Sequence, residues 1–357
     1  MKILHVITSL ATGGAEKLMV DLLPRMKQAD HKVELCVFDG TRTPFFEQLE
    51  KMGIKIHWFH KGGSVYNPLN IYRLWCLMRK GHYNIVHTHN TAPQLFAAVA
   101  SVLCSVVLVT TEHTTSNRRR DWKWYAWLDR WMYSRYKTII SISDKTQENL
   151  FSYLKCFKEK MCIIYNGIDV AKYANAKPLI NSTRKIITAV AGFRYQKDQD
   201  TLIKAMSLLP KEEYELWLVG DGERRPVLEK LVKDLSLCNT VKFMGIRADI
   251  PEILKSSDVV VMSSHWEGFG LAAIEGMAAK KPVIATDIPG IAQVVENAGV
   301  LFPHENADQL AKEIKHLCKD TGYYNEVACK CMKRAADYNI QKMVNAYLHV
   351  YESLATR

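Results

Sequence analysis

Ser263-Ser-His-Trp-Glu-Gly-Phe-Gly-Leu-Ala-Ala-Ile-Glu275 follows the β-branched run Asp258–Met262 and leads into an apolar helical stretch. A buried strand, a glycine-bearing turn and a helix in that order make half of a βαβ unit, so this part of the chain reads as one step of a parallel sheet covered by helices. Glu267 falls in the turn and Glu275 within the first turns of the helix. Gly268 and Gly270 let a ligand approach the backbone, and the N-terminus of the helix presents N–H groups to an anion. Two carboxylates beside such an anion hole suit a ligand with phosphate at its centre and hydroxyls at both ends, as in a nucleotide sugar. A plain helix start with a solvated carboxylate reads the same residues, so this loop alone leaves both open.

Working outward, the same alternation recurs. Lys185–Gly192, Glu215–Val219, Val241–Met244, Val283–Thr286 and Val300–Phe302 read as short strands, with helices at Thr201–Leu209 and Arg225–Leu235. Upstream of Asn166–Asp169 lies a second series: strands Lys2–Thr8, Lys32–Phe38, Lys55–Phe59, Ile85–His89, Val106–Thr111 and Thr138–Ser143, with helical patterns between. From Asp308 the tail is helical. The expected architecture is α/β, with two Rossmann-like parallel-sheet domains. Residues 1–168 form the first, 169–335 the second, and a helix over 336–357 packs back on the first. Ligands of open parallel sheets sit beyond the carboxyl ends of strands, which directs attention to the loops after each strand and to a cleft between the domains.

The 357 residues, 48% hydrophobic and 24% charged, exclude a disordered or fibrous chain. Net charge is +11. Residues 1–170 hold 23 Lys and Arg against 14 Asp and Glu, whereas residues 171–357 hold 25 against 23. The basicity belongs to the first half and suggests an anionic partner there. The nine cysteines are scattered without a CxxC pair and read as reduced packing thiols. No secretory leader is expected, and the apolar run Leu95–Val109 is too short for a membrane span of about 20 residues.

The order of motifs along the chain then becomes specific. Glu267-Gly-Phe-Gly-Leu-Ala-Ala-Ile-Glu275 resembles the E-x7-E motif of the retaining glycosyltransferases of family 4, which have the GT-B fold. Gly13-Gly14 resembles the family's N-terminal glycine loop, and Asn166-Gly-Ile-Asp169 its interdomain NGxD. Arg194 to Lys197 with Asp200-Thr-Leu-Ile resembles its phosphate clamp, and Val219-Gly-Asp-Gly-Glu223 its VGxG segment. Phe243-Met-Gly245 and Lys281-Pro-Val-Ile-Ala-Thr286 with Pro289-Gly290 complete the series. The clamp departs from the commonest spacing, in which Arg lies five residues before Lys; here Gly192 holds that position.

The resemblance implies transfer of a sugar from a nucleoside diphosphate sugar (UDP- or GDP-sugar) to a hydroxyl of a glycan or polyprenyl-linked acceptor. Retention of configuration, no metal and no other cofactor follow from the same source. It implies that Glu275 holds the donor ribose, that Glu267 and His113 face the donor sugar, and that Gly268, Phe269, Gly270 and Leu271 meet the diphosphate. Arg194 and Lys197 would neutralise the leaving diphosphate, and Gly13 and Gly14 would let the first loop reach the donor. His87 and His89, with no third histidine or carboxylate near them in sequence, read as a strand end near the acceptor, and His5 as core.

Residues 117–137 (NRRRDWKWYAWLDRWMYSRYK) mix seven basic residues with four tryptophans. A helix from about Trp122 would put Tyr125, Leu128, Trp131 and Met132 on one face. Trp beside Arg and Lys suits a membrane interface, so Arg118, Arg119, Arg120, Trp122 and Trp124 are candidates for contact with anionic lipid or acceptor. An ordinary packed helix explains the same pattern. The expected location is cytoplasmic, peripheral on the inner face of the cell membrane. A nucleic-acid-binding protein would account for the basic half and leave the glycine and Glu-rich loops without purpose, so no nucleic acid is expected; a nucleotide-sugar epimerase on the same fold is the nearer rival.

Overall fold

The computed structural model describes residues 1–11, 13–113, 122, 125–180 and 182–355. The chain divides into two compact units, Met1–Asn166 with Ile340–Arg357, and Gly167–Asn339.

The first unit holds strands β1 (Lys2–Ile7), β2 (Lys32–Asp39), β3 (Lys55–His60), β4 (Ile85–His89), β5 (Val107–Glu112), β6 (Thr138–Ser141) and β7 (Met161–Ile163). They form one parallel sheet in the order β3-β2-β1-β4-β5-β6-β7. The order reverses between β1 and β4, the switch point at which such sheets open a crevice. Strand alternation divides the core cleanly. Ile3, Ile7, Ile85 and Val109 pack on one face, whereas Leu4, Val6, Val86 and Leu108 pack on the other. Helix Ile340–Ala355 belongs to the first face, burying Ile340, Met343, Val344, Tyr347 and Tyr351. Side chains of that size are worth about 1.5–3 kcal/mol each when fully buried, so the last helix is integral to the first unit.

The second unit holds β8 (Lys185–Val190), β9 (Tyr214–Val219), β10 (Val241–Gly245), β11 (Val259–Met262), β12 (Val283–Thr286) and β13 (Val300–Phe302). Its parallel sheet runs β10-β9-β8-β11-β12-β13, with the switch point between β8 and β11. Tyr214–Val219 is buried throughout, as a central strand covered on both faces requires. Among the described residues no helix is long and apolar enough to cross a membrane.

The structure differs from the sequence reading in three places. β7 is an additional edge strand, and its three residues are too few to show a period. The apolar run Leu95–Val109 is not one element but is shared by helix Thr91–Ala100, a 3-10 turn at Ser101–Leu103 and the start of β5. The aromatic segment forms helix Tyr125–Ser134, whose inward residues are Asp129, Met132 and Tyr133. Of the expected face, Met132 is buried and Trp131 packs against the core, while Tyr125 and Leu128 are half-buried; Asp129 joins the inward side beneath a hydrogen bond from the Tyr153 hydroxyl at 3.0 Å.

Candidate functional site

In the second unit, the loops that leave β8 and β11 at the switch point are stitched together. The His265 amide donates to the Gln196 carbonyl at 2.8 Å, and Gln196 Nε2 donates to the Trp266 carbonyl at 3.0 Å. Ser263 Oγ donates to the Asp198 carbonyl at 2.7 Å. Asp198, in left-handed backbone, caps the next helix by accepting from Thr201. The segment after β12 presses on the same loop: Gly290 has φ +98°, and a Cβ there would overlap the Glu267 carbonyl. These contacts hold the Glu-rich loop in one shape.

Within that frame Lys197 and Glu267 form an ion pair, with the two side chains only 20% and 13% exposed. Glu267 Oε1 also accepts from the Gly268 amide at 3.1 Å. Arg194 is exposed and engages no carboxylate among the described residues, so the two cations of the expected clamp have different surroundings. Helix Leu271–Ala278 begins at Gly270 (φ +89°), which has no side chain to cap the leading N–H groups. Its N-terminus is thereby left to whatever anion arrives. Phe269 is buried beside Tyr338 with ring centroids 5.3 Å apart, and Glu275 is buried one turn into the helix. Sequence reasoning passed over Arg224, whose guanidinium grips both Asp200 oxygens at 2.8 Å; the basic pair following Gly-Asp-Gly-Glu223 was the available signal.

In the first unit, Gly13 stands at the start of helix Gly14–Gln28 in extended backbone. His113 follows β5 and is half-buried. Its Nε2 lies 2.9 Å from His89 Nδ1, and His89 Nε2 lies 3.0 Å from His5 Nδ1. His87 Nε2 lies 2.8 Å from Thr111 Oγ1, and its Nδ1 meets the Tyr351 hydroxyl. Period-two alternation explains the gathering: residues 3, 5 and 7, then 85, 87 and 89, then 109 and 111, share the sheet face that the last helix covers. This corrects the reading of His87 and His89 as histidines without a third nearby, because β1 pairs with β4 and sets His5 opposite His87.

Burial pushes the His5 imidazole down to about 3 and keeps His87 and His89 well below the usual histidine range. It brings His113 to about 4, against a smaller upward pull from the Glu112 carboxylate. All four are neutral at physiological pH. Glu112, which the sequence reading did not single out, is itself buried and accepts from Gln94 Nε2 and the Tyr133 hydroxyl, each at 2.6 Å.

Two groups among the described residues bring metal-type donor atoms within 4.8 Å of one another: His5 with His87 and His89, and His265 with His304 and Glu305. The first group's nitrogens are mostly spent on the contacts above. In the second, His265 Nδ1 and His304 Nε2 lie 2.7 Å apart, next to the Glu-rich loop. Arg118, Arg119, Arg120 and Trp124 lie outside the described residues; Trp122 is exposed.

Two family models divide the chain almost end to end. The description "Glycosyltransferase Family 4" matches residues 12–172, and "Glycosyl transferases group 1" matches residues 172–342. The chain is a family 4 glycosyltransferase. The UDP-Gal:alpha-D-GlcNAc-diphosphoundecaprenol alpha-1,3-galactosyltransferase of Escherichia coli is 26% identical, with 98% of this chain and 96% of that one covered. The glycosyltransferase MJ1607 of Methanocaldococcus jannaschii is 26% identical over 76% of this chain and 75% of its own. Among solved structures, Anabaena Alr3699/HepE in complex with UDP superposes with a TM-score of 0.86 at 22% identity, covering 99% of this chain and 100% of that one. That likeness gives the glycosyltransferase its fold type, GT-B, with a doubly wound sheet in each unit.

Proposed function

We propose that this glycosyltransferase moves a sugar from a nucleoside diphosphate sugar to a hydroxyl of a glycan or lipid-linked acceptor, with retained anomeric configuration and without a metal. The observation that carries the reading is the second unit's switch point, where two stitched loops bring Lys197 and Glu267 together and lead into an uncapped helix N-terminus with Glu275 buried one turn further on. The relatives are consistent with this donor class: HepE was also solved with UDP-glucose, and the E. coli relative is named for a UDP-Gal donor and a diphosphoundecaprenol-linked acceptor.

In this reading the leading amides of Leu271–Ala278 receive the diphosphate, and Glu275 accepts from the ribose hydroxyls. Glu267 and His113 meet the donor sugar. Lys197 exchanges part of its contact with Glu267 for the phosphate, and Arg194 closes from the solvent side, so positive charge sits where negative charge develops. The bond from the anomeric carbon to the diphosphate oxygen breaks, the acceptor oxygen enters on the same face, and its proton passes to the departing phosphate. No protein nucleophile is required.

Thermal-shift titration with UDP-, GDP- and ADP-sugars tests the donor assignment. A donor at a hundred times its Kd stabilises the protein by about 2.7 kcal/mol. Glu275→Ala should abolish that shift, and an intact shift refutes the ribose assignment. Product configuration read by proton NMR, with turnover measured in excess EDTA, tests retention and metal independence.

The reading places the enzyme on the inner, cytoplasmic face of the cell membrane, with the 117–137 segment toward anionic lipid. Trp122, Trp127 and Leu103 are exposed, and Arg135, Lys137 and Lys160 line one surface depression, which supports it. Vesicle co-sedimentation decides this: an Arg118→Ala, Arg119→Ala, Arg120→Ala variant that still pellets fully with anionic vesicles removes the membrane role.

A further inference from the structure

We propose that His5 and His89 are positioning residues that hold His113 in a single neutral tautomer, with the proton on Nδ1 and an unprotonated Nε2 that accepts from His89. The three rings form a linear chain, His5 Nδ1 to His89 Nε2 at 3.0 Å and His89 Nδ1 to His113 Nε2 at 2.9 Å. A neutral imidazole has one N–H and one acceptor nitrogen. Each contact needs one proton between its two nitrogens, so only two arrangements satisfy both. Either every N–H points toward His113, or every N–H points back toward His5.

The far end of the chain decides between them. His5 is fully buried, and its Nε2 has no partner among the described residues. If the protons pointed toward His5, that nitrogen would carry an orphaned buried N–H, which is rarer in folded proteins than an under-used acceptor. With the protons pointing toward His113, His5 Nε2 is only a bare lone pair. The near end agrees. The positive end of the aligned N–H dipoles then lies at His113, whose neighbour Glu112 is a buried carboxylate that acts on it electrostatically.

His87 steadies the chain from the side. It stacks on His89 with centroids 4.3 Å apart while its own nitrogens are held by Thr111 and by Tyr351 of the last helix. The low affinity of all four rings for a second proton keeps the counting valid at neutral pH.

The consequence is a fixed role. His113 offers an N–H from Nδ1 and cannot take a proton from an acceptor hydroxyl, so it recognises an oxygen lone pair and is not a general base. That a donor-sugar oxygen fills this place rests on the function proposed above; the tautomer does not.

Long-range proton–nitrogen correlation spectra of the full chain, labelled with nitrogen-15 histidine at neutral pH, test it. His113 is assigned by the signals missing in His113→Gln. The expected spectrum has protonated Nδ1 and bare Nε2 for His113, His89 and His5. A protonated Nε2 on His113, or averaging between tautomers, overturns the proposal, and the wild-type protein alone gives that answer.

In His89→Leu, His113 should lose its single tautomer and turnover should fall roughly tenfold, the size of one hydrogen bond. His89→Gln keeps an acceptor and a donor and should restore both. A His113 that remains fixed in His89→Leu also overturns it. Adding UDP-glucose separates the two ideas: an unmoved Nδ1–H signal under saturating donor counts against the sugar contact, whereas a reversed tautomer counts against the relay whatever the donor does.

Discussion

Lowering the pH from 7.5 to 5.0 should weaken the first unit by several kcal/mol, and the amount follows from its buried imidazoles. Folded His5 titrates at about 3 and His113 at about 4, each from an ordinary value of 6.5. At pH 5 both stay neutral in the folded chain, while the same residues in the unfolded chain are almost fully charged. The unfolded state therefore binds more protons, and stability falls as pH falls. The loss begins near 6.5 and continues until each folded value is reached. At pH 5 about 1.5 pH units of that window have been crossed at about 1.36 kcal/mol each, so each of the two residues costs about 2 kcal/mol. His87 and His89, held low chiefly by burial and then by neighbouring histidines, act in the same direction. A total of at least about 4 kcal/mol is a large part of the 5–15 kcal/mol typical of a domain. Urea unfolding followed by pulse proteolysis at both pH values, scoring peptides of each unit separately, reads the effect. His5→Leu should flatten the pH slope by about one proton. Equal stability of the first unit at pH 7.5 and 5.0 would refute the neutral buried cluster.

Gly290→Ala should lower the melting temperature and blunt the donor-induced thermal shift together, because the positive φ costs about 1–3 kcal/mol and the added methyl collides with the Glu267 carbonyl; a normal donor shift would separate that contact from binding. Lys197→Met should reduce turnover about 10²–10³-fold in a steady-state transferase assay, with a smaller change in donor KM. Glu215→Ala should destabilise the second unit by about 1–3 kcal/mol in chemical denaturation, because Glu215 is 3% exposed and its loss leaves the buried Trp217 ring N–H unpaired and frees Arg184 and Lys242, which water can still reach.

The second unit was the more legible half of the sequence. Most of its strands are short apolar runs rich in Val, Ile and Leu, and β12 and β13 lie where those runs do. The loops after β8 and β11 could be singled out because charge and glycine cluster there in short order. Contacts between distant segments were not legible. His5 and His89 are 84 residues apart, and nothing local reveals that β1 lies beside β4. The inward side of the 125–134 helix is legible only in part for a related reason: Met132 follows from the pattern, whereas Asp129 looks like a solvent residue until Tyr153, from another helix, supplies its partner. Period places such polar groups on a face, but only the order of the strands brings them together.

The last helix also sets a schedule for how the protein is made. The first unit's sheet is complete at β7, yet one of its faces lacks Ile340, Val344, Tyr347 and Tyr351 until helix Ile340–Ala355 has been made. The intervening 173 residues, Gly167–Asn339, form another unit. At about 5–20 residues per second their synthesis takes roughly 10–35 s. Throughout that interval a broad apolar surface, with its row of histidines, stands open on a nascent chain. The sheet of the first unit is thus covered on this face only after the whole of Gly167–Asn339 has been made.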